Sequence, residues 1–419
     1  MSETDQTEVL VVGAGPIGMF TALLLAKNGI QTQILDQESR TAAHSYACAL
    51  HPQTHELLRR SKVTFDAIEF GHHIRSIGFY EGNTRHAEAR ISELPVKFPF
   101  ALVLAQSTLE NFLEQRLQHA GVPIHWNHRL ADVAMQGTEV IATIEKLANV
   151  GKGFIVPEFD LAVEKELRTK ARFVIGADGF NSIVRQRLGI QRRLTGASQF
   201  YAVYEIESDG NCGSEAKVVL EGGTCSVFWP LSETRCRWSF QLKVARTSKE
   251  FPQKNRDALL VVEPASHHDS LDHLRQLLKQ RAPWFQNAPQ EVVWAVDVQF
   301  DPWLAREFGK GHCWLAGDAA HQTCPAGMQS MNVGFREAAL LSDALTQILR
   351  HGASEAVLQT YERTQLMEWQ RLLGLRGPVR VTEKASPWVR QNAAQIVGSI
   401  PASGDDLGYL LHGLGIELD

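Results

Sequence analysis

The sequence predicts an α/β fold in which a parallel, helix-covered sheet is interleaved with a mainly β unit and followed by a C-terminal helical segment. Three observations carry that expectation. Near the N-terminus an apolar strand runs through a glycine-rich turn into a helix and then a second strand. Two further apolar strands end in tight turns at Gly176 and Gly317. Between those two turns the pattern is largely strands, with one helix.

Glu8 to Val12 is the first apolar run, Met19 to Asn28 has helical spacing, and Gly29 is a stop, because glycine takes the left-handed conformation without Cβ strain. Gln31 to Leu35 then reads as a strand ending at Asp36, which completes a βαβ start. Thr54 to Arg60 reads as helix, Ile74 to Leu104 as extended segments broken by turns, and Thr108 to His119 as helix again. Val140 to Ile144 and Arg172 to Ile175 are β-rich pieces around a loop at Gly151-Lys152-Gly153. Strands dominate from Gln199 to Gln299, with one helix at Ser270 to Arg281. Residues 313 to 317 form another buried strand, Asn332 to Leu349 a long helix, and the remainder helices broken at Pro378, Pro387 and Pro401.

Composition narrows the function class. The 419 residues are 44% hydrophobic and 21% charged, the balance of a globular enzyme, and the net charge of -5 argues against a nucleic-acid binder. Cys48, Cys212, Cys225, Cys236, Cys313 and Cys324 form no C-x-x-C pair, so neither a zinc site nor a disulfide framework is expected. The polar, acidic Met1 to Asp5 lacks the pattern of a secretion signal, and no apolar run reaches the ~18 residues that span a bilayer. A cytoplasmic protein without an integral membrane segment is the expectation, as monomer or homodimer.

Gly13-Ala14-Gly15-Pro16-Ile17-Gly18 joins the first strand to the first helix, with Asp36 after the second strand. Glycines there admit a pyrophosphate close to the backbone, the helix N-terminus offers unpaired N–H groups, and Asp36 can accept from ribose hydroxyls. The second motif, Gly176-Ala177-Asp178-Gly179, opens a helix carrying Arg185, although a capped helix start explains it equally. The third, Gly317-Asp318-Ala319-Ala320-His321, is followed by Pro325-Ala326-Gly327-Met328-Gln329-Ser330-Met331-Asn332, which leads into a helix whose start suits an anion.

In this order the three motifs resemble the flavoprotein aromatic hydroxylases typified by para-hydroxybenzoate hydroxylase, over nearly all of the chain. The resemblance implies a Rossmann-like FAD-binding domain assembled from residues 1–67, 106–190 and 301–375, an interleaved mainly β substrate domain from 68–105 and 191–300, and a C-terminal helical segment at 376–419. It implies noncovalent FAD held by Gly13, Gly15, Pro16, Ile17, Gly18, Asp36, Gln106, Asp178, Gly317, Asp318, Pro325, Met331 and Asn332. Gln106 matches a family Gln-x-x-Leu-Glu motif with one extra residue, Asp318 the ribityl contact, and Pro325 the proline beside the reacting flavin carbon. Arg185 is expected to serve the nicotinamide nucleotide, NADH or NADPH, or else to form a surface ion pair. The implied reaction uses O2 and a flavin C4a-hydroperoxide to hydroxylate an aromatic or polycyclic small molecule.

Two departures stand out. Tyr46 replaces a common family arginine, and the usual Gly-Gly-Gln-Gly is Gly327-Met328-Gln329-Ser330, which should narrow the loop beside the flavin. Phe228, Trp229 and Arg237 are candidates for a planar-substrate pocket, against ordinary sheet packing; His72-His73, His267-His268 and His321 are candidate bases, against ordinary satisfied histidines. The alternatives are a non-catalytic FAD-bound sequestering protein and a flavin-dependent halogenase, of whose Trp-x-Trp-x-Ile-Pro motif Val227-Phe228-Trp229-Pro230 is a partial echo.

Overall fold

The computed structural model describes residues 5–40, 49–152, 158–243, 261–262, 267–286 and 289–418. At its centre strand Asp5–Val12 pairs in parallel with Thr32–Leu35 on one side and Glu158–Gly176 on the other. Ile124–His125 and Cys313–Leu315 extend the parallel ladder at its two ends. Val9 to Val12 are all buried, as expected for a strand covered on both faces. Helix Pro16–Lys27 is apolar all round, and every residue from Pro16 to Leu25 is buried. Gly29 follows it with φ +72°, the left-handed stop that the sequence predicts.

The loop expected around Gly151-Lys152-Gly153 is not found at its first two residues. Val140–Lys152 pairs antiparallel with Glu158–Ala171, so Gly151 and Lys152 still belong to a strand, while Gly153 lies outside the described residues. Helix Val63–Phe70 was not anticipated: it buries Val63, Thr64 and Ala67 but leaves Phe65 and Phe70 exposed, which blurs its apolar period.

A second sheet runs in the order Val261–Val262, Pro289–Phe300, Gln199–Ser208, Arg235–Leu242, Thr224–Pro230, Glu215–Glu221, Ser76–Glu81, Thr84–Arg90. The early excursion therefore joins the late strands through parallel pairing of Ser76–Glu81 with Glu215–Glu221. One face of this sheet buries Phe228, Trp238 and Phe240 with Leu274, Leu277 and Leu278 of helix His267–Arg281. The other buries Val218, Val227 and Trp229 against Val389, Ile396 and Ile400 of the C-terminal segment.

Pro387 starts a helix rather than breaking one. It occupies the first turn of Pro387–Ser399, where its missing N–H costs nothing, and Ser386 Oγ caps the helix by accepting from Val389 N at 3.2 Å. Among the described residues no helix is long and apolar enough to cross a membrane.

Candidate active site

A cavity of about 290 Å3 opens where the first helix, the strand ends of the parallel sheet and the second sheet meet. Its wall includes Gly15, Pro16, Ile17, Gln106, Asp318, Pro325 and Met331, seven of the residues expected to hold FAD. Ala177 and Gly179 add the second motif, and Phe300 and Cys324 also line the cavity.

The three glycines of the first motif divide the work. Gly13, at φ +102°, has no room for a Cβ, which would sit 2.2 Å from the Ala177 carbonyl oxygen; at Gly18 it would lie 1.9 Å from that of Gly13. Those two let strand, helix and second motif close on one another. At Gly15 a Cβ would meet nothing within 4 Å, so that glycine faces open space in the cavity. Gly15 also caps the helix without a side-chain acceptor, leaving the first-turn N–H groups to a ligand. Asp36 is tied in from the side: Oδ2 accepts from Ala14 N at 2.6 Å and Oδ1 from Glu38 N at 2.9 Å.

Asp178 Oδ2 caps the short helix Ile183–Arg187, accepting from Ile183 N at 2.7 Å and Val184 N at 3.1 Å, while its Oδ1 is buried without a hydrogen-bond partner. Burial raises its pKa. An orphaned acceptor beside the cavity fits a ligand hydroxyl, so the residues present suit a dinucleotide with a polyol chain.

Arg185 departs from both expectations. It is 3% exposed, donating from Nη1 to Ala319 O and from Nη2 to Phe180 O, both at 2.8 Å, and its guanidinium lies 4.7 Å from the Trp303 ring centroid. Burial lowers its pKa to about 10. It is neither on offer to a docking nucleotide nor part of a surface ion pair; it ties the second motif to the third. Cation–π contact makes the buried site tolerable to a weakly hydrated guanidinium.

The third motif is held from behind by a residue that sequence reasoning missed. Glu337 is fully buried on helix Gln329–His351: Oε2 accepts from Gly317 N at 2.7 Å and contacts His321 Nε2 at 3.0 Å, while Oε1 accepts from Trp369 Nε1 at 2.7 Å. The signal was available, since Val333, Glu337 and Leu341 share one buried stripe and an acid within such a stripe needs partners. Asp318 points into the cleft and is accessible from it, yet lies deep in the molecule, and desolvation raises its pKa. His321 stacks on Trp369 at 3.8 Å and is fully buried, with Nε2 on Glu337 and Nδ1 without a hydrogen-bond partner, so it does not face the cavity as a base. His72 bonds the Gly213 carbonyl and His73 stacks on Phe100, so neither faces the cavity; the His267 and His268 side chains lie outside the described residues.

Asn332 is a hub. Its Oδ1 accepts from His51 N at 2.7 Å and Thr54 Oγ1 at 2.8 Å, and its Nδ2 donates to Ala49 O and Met328 O. His51 Nε2 reaches Gly327 O at 2.9 Å, and Gln329 Nε2 donates to Ile400 O and Ala402 O, so the loop is clamped on both sides. Tyr46 lies outside the described residues.

Met328 adopts φ +52°, a left-handed backbone that costs a non-glycine residue ~1–2 kcal/mol, yet its side chain is only 6% exposed and lines the cavity. Truncating a buried methionine costs ~2–5 kcal/mol, so burial outweighs strain. Met328→Gly should therefore lower unfolding free energy by roughly 1–3 kcal/mol while widening the cavity. Urea unfolding checks it; a stabilised variant would mean that strain dominates.

Phe228, Trp229 and Arg237 do not share a pocket. Neighbours on a strand point to opposite faces, so Phe228 lies under helix His267–Arg281 and Trp229 under the C-terminal segment, each 1% exposed. Arg237 pairs with Glu205 and borders a separate cavity.

Comparison with known proteins decides the family. A family profile described as FAD binding domain matches residues 6–373. The chain belongs to this FAD-binding family. Within the family it is 27% identical over 88% of its length to 6-methylpretetramide 4-monooxygenase of Streptomyces rimosus, and spans 61% of that relative. It is 27% identical over 84% of its length to para-nitrophenol 4-monooxygenase of Pseudomonas sp. (strain WBC-3), spanning 81% of that protein. The crystal structure of p-nitrophenol 4-monooxygenase from Pseudomonas putida DLL-E4 shares the fold, with TM-score 0.70 and 21% identity, covering 98% of this chain and 97% of that one.

Proposed function

We propose that the chain is a NAD(P)H-dependent flavoprotein monooxygenase that hydroxylates an electron-rich aromatic small molecule. The observation that carries this reading is that one cavity is lined both by the start of helix Pro16–Lys27, which no side chain caps, and by Phe300, Cys324 and Pro325. FAD, reduced by the nicotinamide nucleotide, supplies the activation of O2 from which one oxygen atom is inserted into the ring.

The chain's own residues bind, orient and shield. The first turn of helix Pro16–Lys27 faces the diphosphate, Asp36 and Asp318 accept from sugar and ribityl hydroxyls, and the amides of Met331 and Asn332 bring the start of helix Gln329–His351 to the pyrimidine edge. Phe300 and Met331 exclude water from the reacting end. The names of relatives, which include pentachlorophenol 4-monooxygenase of Sphingobium chlorophenolicum, favour this reading over a sequestering protein or a halogenase.

Asp318→Ala should weaken FAD binding ~10–100-fold, since a hydrogen bond to a charged acceptor contributes roughly 1.5–3 kcal/mol, with little change in thermal stability. Fluorescence titration of apoprotein with FAD measures it; unchanged affinity with reduced stability would leave Asp318 as a turn residue. The activity itself is tested by NAD(P)H oxidation against a panel of phenols, with peroxide measured in parallel. Stimulation by a phenol with substoichiometric peroxide supports hydroxylation; no stimulation by any phenol supports sequestration.

A further inference from the structure

A second cavity, of about 660 Å3, lies at the end of the β-rich sheet against the start of helix Gln106–His119. It is separate from the flavin cavity but shares a wall with it: Gln106 borders the flavin cavity, whereas Ala105, Ser107 and Thr108 border the second. We propose that this second cavity is an outer subsite that receives an aromatic carboxylate or phenolate before it reaches the flavin, an inference resting on the hydroxylase reading above.

The wall has two chemistries. Trp294, Leu104 and the exposed Phe70 and Val293 form an apolar side suited to a flat ring. On the polar side Arg235 and Arg237 stand with Glu205 and Glu207. Arg237 is 4% exposed, its Nε donates to Glu205 Oε1 at 3.0 Å and its guanidinium lies 5.8 Å from the Trp294 ring centroid, so it is committed to that carboxylate and that ring. Arg235 is held more loosely: its guanidinium is 3.5 Å from Glu205 and 3.8 Å from Glu207, and its buried Nε has no hydrogen-bond partner. Two cations and two anions balance in charge. The start of helix Gln106–His119, which no side chain caps, tips the field towards a negative ligand. A benzene ring bearing one carboxylate can lay its face on Trp294 and turn its anion to the Arg235 fork.

The test is calorimetric titration of the FAD-loaded protein with benzoate and, separately, with uncharged benzyl alcohol. Benzoate should bind and benzyl alcohol should not. Arg235→Gln and Val293→Asp, both at positions more than a third exposed, should each weaken benzoate about tenfold with FAD content unchanged. Equal binding of the two ligands, undiminished affinity in both variants, or tighter binding of ADP-ribose than of benzoate would overturn the proposal. Failure of the hydroxylase reading shows up separately, as absence of phenol-stimulated NAD(P)H oxidation while benzoate still binds.

Discussion

Glu337→Ala should cost ~3–5 kcal/mol of stability and strip the protein of most of its FAD, although Glu337 does not border the cavity. The substitution orphans the Gly317 amide and the Trp369 indole N–H and removes the partner of His321, all in the interior. Leaving a buried donor unsatisfied forfeits its full desolvation cost, which is why the loss exceeds that of an ordinary hydrogen bond. The Gly317–Ala319 turn then loses the anchor that aims Asp318. Glu337→Gln keeps the shape but presents an amide N–H₂ to donors, and should fall between. Urea unfolding and FAD titration of both variants check this; wild-type stability in Glu337→Ala would mean that the network contributes nothing.

Acid should unfold the protein with a steep dependence set by two histidines. His51 and His55 are fully buried on the segment behind the flavin loop, and desolvation lowers both pKa values to about 3, with His73 adding repulsion at His55. Each stays neutral in the fold, whereas in the unfolded chain it protonates near its ordinary value of 6.5. Between those values the unfolded state binds up to two more protons, so stability falls as pH falls, by about 1.4 kcal/mol per pH unit for each histidine. The raised carboxyls of Asp178 and Asp318 have the opposite sign, their protonation relieving buried charge at lower pH, so the histidines dominate first. His55 packs against Phe98 and Phe100, so His55→Phe should keep neutral-pH stability and remove about one proton from the dependence. Urea midpoints from about pH 7 to about pH 5 decide it; an unchanged slope in the variant would locate the titration elsewhere.

Much of the glycine-rich end of the cavity was legible because its geometry is local. Gly13, Gly15, Gly18 and Asp36 lie within one βαβ unit, where a strand, a turn and a helix start fix their geometry. The residues that hold the site from behind were not legible, because their partners are remote in sequence. Arg185 bonds a carbonyl 134 residues away, and Asn332 meets His51 across 281 residues. Phe228 and Trp229 do not pair for a simpler reason: strand alternation sends adjacent side chains to opposite faces. Met328 shows the converse, since a departure from the glycine pattern, visible in sequence, marks a left-handed position that the loop still requires.

The most direct test of the central claim is single-turnover hydroxylation under isotopically heavy dioxygen. FAD-loaded protein is reduced by NAD(P)H, mixed with a phenol that stimulates that reduction, and the product is analysed by mass spectrometry. One heavy oxygen atom per product ring, with the other atom appearing in water, is the result that a monooxygenase gives. Unlabelled phenol, with all of the heavy oxygen recovered as peroxide for every phenol that stimulates reduction, would contradict the account.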